Sequence, residues 1–137
     1  MSEADNTKII QQCYEWFGKG DVNSLIGAMA EDVTWVVPEI ENAPFAGSRT
    51  GTTSVAEFFG QLNDAEEMTR FEPLEFIAQD DKVVVLGESA ATVHSTGRSY
   101  ETDWVHVFHL RDGKVTSFHE FFDNAAATRA FQKTTAA

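Results

Sequence analysis

The chain has 137 residues and a mass of 15.2 kDa, with one cysteine, ten basic against twenty-two acidic side chains, and 42% hydrophobic residues. That size suits one domain which buries roughly two-thirds of its unfolded surface, so neither disulfides nor a structural metal is needed to hold a core, and Cys13 has no second thiol to pair with. A net charge of -12 repels phosphate backbones and anionic lipid headgroups, which argues against nucleic-acid and membrane partners.

The first residues, MSEADNTK, hold no apolar stretch of signal-peptide length, and the longest aliphatic run is Val83 to Leu86. No export signal and no membrane span are expected, which with a single thiol makes the cytoplasm the expected compartment.

From Asp5 to Lys19, Ile9, Ile10, Cys13, Tyr14, Trp16 and Phe17 fall on one stripe at helical spacing. Gly18 and Gly20 end that helix, and Asp21 can cap a second one running to about Met29. Asp32 to Val37 alternates and reads as a strand stopped by Pro38. A loop follows from Glu39 to Gly51; then Thr52 is expected to cap a third helix, ending near Asn63, with Val55, Phe58, Phe59 and Leu62 on its apolar face.

The period then changes to two. Phe71 to Gln79, Lys82 to Ser95, Tyr100 to Leu110 and Val115 to Phe122 read as four strands of an antiparallel meander, with turns at Asp80-Asp81, Thr96-Gly97 and Arg111-Asp112-Gly113. A short helix is expected from Asn124 to Phe131, with a frayed end over residues 133–137. Helices followed by an antiparallel sheet make an α+β domain. The sheet must cover its apolar side with the three N-terminal helices, so it should curl around them as a half-barrel with a concave mouth.

The order of helix, Gly20-Asp21, helix, "AEDVTWVVP", "GTTSVAEFF", strands, "RDGKV" and "EFFD" resembles the nuclear transport factor 2-like superfamily, and within it the SnoaL-like and ketosteroid-isomerase-like proteins, over residues 5 to 131. The resemblance implies a conical cavity between sheet and helices and frequent homodimers, on a fold that hosts many activities. Ketosteroid isomerase needs a carboxylate base with a Tyr and a protonated acid as oxyanion donors. Those positions fall on Val37, Cys13 and His106 here, so that constellation is absent, and Tyr14 lies one residue, about 100° of helix, from the tyrosine position. Limonene epoxide hydrolase is similar in "GRSY" and in the last strand. Its Arg-Asp pair falls on Gly87 and Ser89, while its final acid is kept as Glu120.

Strand alternation allows the inward face to be read from the residues alone. A three-residue loop at Arg111-Asp112-Gly113 would pair Leu110 with Lys114, set His106 opposite Phe118 and Trp104 opposite Glu120, and make His106 and Glu120 diagonal neighbours. A two-residue loop at Asp112-Gly113 would set His119 opposite His106 instead. The resemblance favours the first register.

His106 and Glu120 on an apolar wall are the candidate catalytic residues. Burial raises a carboxyl pKa and an imidazolium lowers it, so such a pair can handle one proton near neutral pH, as in abstraction beside a carbonyl. A buried ion pair with a purely structural role is the competing account. Asp103 alternates away from the cavity, and Asp123 is placed to cap the last helix. Tyr14, Trp35, Val37, Phe59, Trp104, Phe118 and Phe122 are the expected ligand-lining residues, with plain core packing as the alternative, and Trp16 could close the mouth with Tyr14.

His106 and His109 point to opposite faces of a strand, and His94 and His119 have no partner at ligand spacing, so no metal site is expected. Cys13 reads as an inert buried thiol, and no phosphate-binding glycine loop is present. The functional expectation is a small hydrophobic ligand handled by cofactor-free acid-base chemistry, against a non-catalytic binding or interaction module. Val84, Leu86, Ala90, Val105 and Val107 alternate onto the outer sheet face, where a second copy of the chain would cover them in a homodimer.

Overall fold

The computed structural model describes residues 2–133, so most of the expected frayed end, 134–137, lies outside the described residues. Helix α1 spans Glu3–Gly18 and starts with a reciprocal capping box between Ser2 and Asp5. It buries Ile10 and Cys13 from the apolar stripe. Helix α2, Val22–Gly27, is capped by Asp21, whose carboxylate accepts from Ser24 N at 3.1 Å. Strand β1 is Met29–Val37, with Val33, Trp35 and Val37 buried in alternation.

The loop expected from Glu39 to Gly51 contains a short strand, β2, Gly47–Thr50, paired with the end of β1. Helix α3, Thr52–Ala65, has Gly51 rather than Thr52 at its cap, with no side-chain hydrogen bond there, and buries Val55, Phe58 and Phe59. Strand β3, Glu66–Gln79, begins five residues earlier than the alternation of Phe71 to Gln79 suggests. Register shifts near Met68 to Arg70 and Pro73 to Glu75 bend it. Strands β4, Lys82–Val93, β5, Ser99–Arg111, and β6, Lys114–Phe122, complete the meander. Helix α4, Asn124–Phe131, is capped by Asp123, as its position suggested.

The six strands lie in the order β2-β1-β6-β5-β4-β3. The meander is antiparallel as expected, and β1 joins its far side by pairing in parallel with β6, a pairing not assigned from sequence. The sheet remains open and curved. Its concave face packs on α1 and α3, and α4 lies against β4 and β5 with Phe131 buried beside Phe45, ring centroids 5.6 Å apart. Among the described residues no helix is long and apolar enough to cross a membrane.

Candidate functional site

The hairpin between β5 and β6 sets the site. Asp112 (φ 50°) and Gly113 (φ 78°) are both left-handed, the geometry of a two-residue turn, so Arg111 pairs with Lys114 and Leu110 with Val115. The three-residue loop and its Leu110 to Lys114 pairing are therefore corrected. The register then shifts by one: His109 pairs with Ser117, leaving Thr116 as the extra residue of a bulge, its Oγ1 donating to His109 O at 3.2 Å. His106 consequently faces Glu120 directly, Phe108 faces Phe118, and Trp104 faces Phe122. Neither expected register is the observed one, yet the shift restores the phase of the first, so the expected inward set still points inward.

His106 is buried, and its Nε2 lies 2.7 Å from Glu120 Oε2. Its Nδ1 lies 2.7 Å from the Tyr14 hydroxyl, brought in from α1. Burial, and then the charge of Glu120, hold the Tyr14 pKa well above its usual value. Tyr14 thus keeps its proton, and the arrangement that satisfies all three groups has Tyr14 O–H donating to Nδ1 and Nε2–H donating to a Glu120 carboxylate. The imidazole is further fixed by the Trp104 indole stacked at 4.0 Å and the Phe118 ring edge-on at 4.8 Å. With both nitrogens engaged, His106 orients and polarises; Glu120, whose Oε1 bonds to no protein group among the described residues, presents the free basic oxygen.

These groups line an inner chamber of about 90 Å³ whose wall is otherwise mostly apolar, with Trp35, Phe59, Trp104, Phe118 and Phe122 on it. It adjoins a wider cleft of about 980 Å³ between α1, the end of α3 and β3, sharing Tyr14, Phe17, Leu62, Glu66, Met68 and Phe71 with it. Phe17, not Trp16, stands at this mouth. Val37, expected on the wall, is packed in the core at the far end of β1 opposite Gly47 and does not line the chamber. The indole Nε1 atoms of Trp35 and Trp104 have no hydrogen-bond partner among the described residues and are sealed from the open space of the chamber.

Two further wall residues were not singled out from sequence. Glu66, the first residue of β3, is buried and accepts a 2.6 Å hydrogen bond from Tyr100 on β5. Burial pushes its carboxyl up to about 7 against the Tyr100 hydrogen bond. Both residues sit at strand starts among polar neighbours; alternation from Trp104 and His106 was the signal available for Tyr100, while no local pattern marks Glu66 as inward.

The remaining candidates lie elsewhere. Asp103 is exposed, His109 Nδ1 meets Ser117 Oγ at 2.9 Å, His94 Nδ1 meets Asp64 O at 2.7 Å, and His119 stacks on Phe121. Among the described residues no three His, Cys, Asp or Glu are grouped to hold a metal ion. Burial pushes the Cys13 thiol up to about 11, which leaves it protonated and unreactive at neutral pH.

The family model for the SnoaL-like domain matches residues 10–118. The chain belongs to the SnoaL-like family. Solved structures agree. A nuclear transport factor 2-like protein from Burkholderia xenovorans is 35% identical to this SnoaL-like chain, with 96% of this chain and 99% of that one covered and a TM-score of 0.88. Another, of unknown function, from Burkholderia pseudomallei is 30% identical over 97% and 100% of the two chains, with a TM-score of 0.87. TerC, co-crystallised with polyporic acid, is 31% identical over 93% and 98%, with a TM-score of 0.82. No curated protein matches.

Proposed function

We propose that this SnoaL-like protein binds a small, ring-containing hydrophobic molecule in its cone and moves a proton on it without a cofactor, as an isomerase, cyclase or hydrolase-type enzyme. The observation that carries this reading is the hydrogen-bonded chain of Tyr14, His106 and Glu120 inside an apolar chamber. Glu120 takes a proton from a carbon beside a carbonyl, and the C–H electron pair moves onto the carbonyl oxygen as an enolate. The proton returns to the same or a conjugated carbon, leaving the protein unchanged. TerC, crystallised with polyporic acid, supports a small organic ligand for this family member as well.

The test is deuterium wash-in from D2O into 2-tetralone and related hydrophobic ring ketones, lactones and unsaturated ketones, followed by NMR. Exchange above the buffer rate is the expected result. The smallness of the inner chamber favours a second reading, a non-catalytic binding or interaction module. Ligand-induced thermal stabilisation with no exchange would favour that module, and neither effect would remove the ligand site altogether.

We propose further that the protein works as a cytoplasmic homodimer with no nucleic-acid or membrane partner. The outer face supports the dimer: the register sets Ile77, Val84 and Val107 side by side in one row and Leu86, Val105 and Phe121 in the next, with Ile77 and Phe121 about half exposed in the single chain. Sedimentation equilibrium at micromolar concentration should give twice the chain mass; a monomer would remove the assignment.

A further inference from the structure

We propose that Glu66 and Tyr100 form a second polar site in the same cone, where Glu66 in its protonated form donates a hydrogen bond to an acceptor oxygen of the ligand. The proposal rests on the reading of the cone as a ligand site and adds a chemical requirement: the ring molecule carries a carbonyl or ether oxygen at a point distinct from the one that meets Glu120.

Glu66 stands where the inner chamber meets the outer cleft and lines both. Its side chain is anchored at one oxygen, since Tyr100 O–H donates to Oε2 at 2.6 Å. The other oxygen, Oε1, has no hydrogen-bond partner among the described residues and is not among the sealed-off unpartnered atoms, so it opens onto the cavity. No Lys or Arg among the described residues forms an ion pair with Glu66, and a buried carboxyl without a cation favours the neutral form. Burial raises its pKa to about 7; the Tyr100 hydrogen bond opposes this, the charge of Glu120 adds to it, and His94 opposes it. With the proton on Oε1, Oε2 is the carbonyl oxygen that accepts from Tyr100, and Oε1–H is a donor with no acceptor among the described residues.

The two polar sites share one surface without merging. Tyr100 and His106 lie on the same inward face of β5, six residues apart, with Trp104 between them. Glu120, held by His106, which Tyr14 holds in turn, accepts protons, while Glu66, held by Tyr100, offers one. A ligand engaging both would be polar at two points and apolar between them.

The test compares 2-acetylnaphthalene with 2-ethylnaphthalene, which lacks the oxygen, by titration calorimetry at about pH 5.5 and about pH 8.5. Wild-type protein is expected to bind the ketone about tenfold more tightly at the lower pH, because ionised Glu66 loses its donor and leaves a charge facing the carbonyl. The hydrocarbon should bind equally at both. In Glu66→Gln the amide donates at any pH, so ketone affinity should become flat. The titratable groups lining the same space, namely Cys13, Tyr14 and Glu15 on α1, Glu67 on β3, Tyr100 and His106 on β5, Glu120 on β6 and His94 after β4, all remain in that variant, so pH dependence arising from them would survive. Unchanged pH dependence in Glu66→Gln, or equal behaviour of the two probes, would overturn the proposal while leaving the ligand site intact. If neither probe binds at either pH, the ligand site fails and this proposal with it. Should Glu66→Gln not fold, Tyr100→Phe is expected to move the midpoint of the ketone's pH dependence upward, since it removes the hydrogen bond that holds the Glu66 pKa down; an unmoved midpoint would count as refutation.

Discussion

Glu120→Gln is expected to lower the rate of deuterium wash-in into a ring ketone by about 10²- to 10⁴-fold, the range for removing a positioned general base. The amide keeps the volume of the side chain and can still accept from His106 Nε2–H, so the arrangement around it should persist. What disappears is the basicity of the free oxygen. Affinity for the ketone should change far less than the rate, because the aromatic wall that buries the ring is untouched. Tyr14→Phe in the same assay should cost less, about tenfold, since it removes the donor that fixes the His106 tautomer but leaves the base in place. Exchange at the wild-type rate in Glu120→Gln would show that Glu120 is not the base.

That His106 and Glu120 share one face was legible from sequence, though their direct pairing was not, because the face depends on phase rather than on exact register. Alternation places every second residue of a strand on one face, and a shift by two residues changes the partners without changing the face. The turn at Asp112-Gly113 is the two-residue alternative, one residue shorter than the favoured reading, which alone would have turned Glu120 outward; the bulge at Thr116 turns it back. Nothing local in "KVTSF" announces that bulge. The resemblance carried the fold because helix boundaries and turns recur in order along the whole chain.

Glu66 was not legible for the opposite reason, whereas Tyr100 follows in phase from Trp104 and His106 and was passed over. "EEMTR" has the composition of a loop, and its strand character comes from pairing with Val93 to Ala90, residues far away in the chain. The same holds for β2, four residues made extended by the edge of β1, and for the parallel contact of β1 with β6, which joins elements separated by most of the sequence. Tyr14 was placed on the cavity by helical spacing. Its hydrogen bond to His106 required the curl of the sheet, which no pairwise pattern encodes.

Gly87→Ala is expected to destabilise the protein by about 3 kcal/mol, at the upper end of what an overpacked core methyl costs. Gly87 is an inward position of β4 directly opposite Trp104, and the indole fills the space a side chain would take. An added Cβ would lie 2.2 Å from Trp104 Cζ2, 2.5 Å from Cη2 and 2.6 Å from the backbone oxygen of Glu72. The indole cannot yield easily, because it is buried and packed against both His106 at 4.0 Å and Phe71 at 4.9 Å, and the third contact is backbone. Gly60→Ala supplies the contrast: a Cβ there meets nothing within 4 Å on an exposed turn of α3, so helix propensity should stabilise it by up to about 1 kcal/mol. The same crowding bears on the comparison with limonene epoxide hydrolase, whose arginine position falls on Gly87: while Trp104 holds the imidazole from below, no side chain can occupy that point of the wall. Urea titration measures the loss, and wash-in on the surviving folded fraction measures its functional side, since a displaced Trp104 releases one face of His106. A change in stability below about 0.5 kcal/mol would mean that the indole is not pinned, and the rigidity assigned to the His106 side of the chamber would go with it.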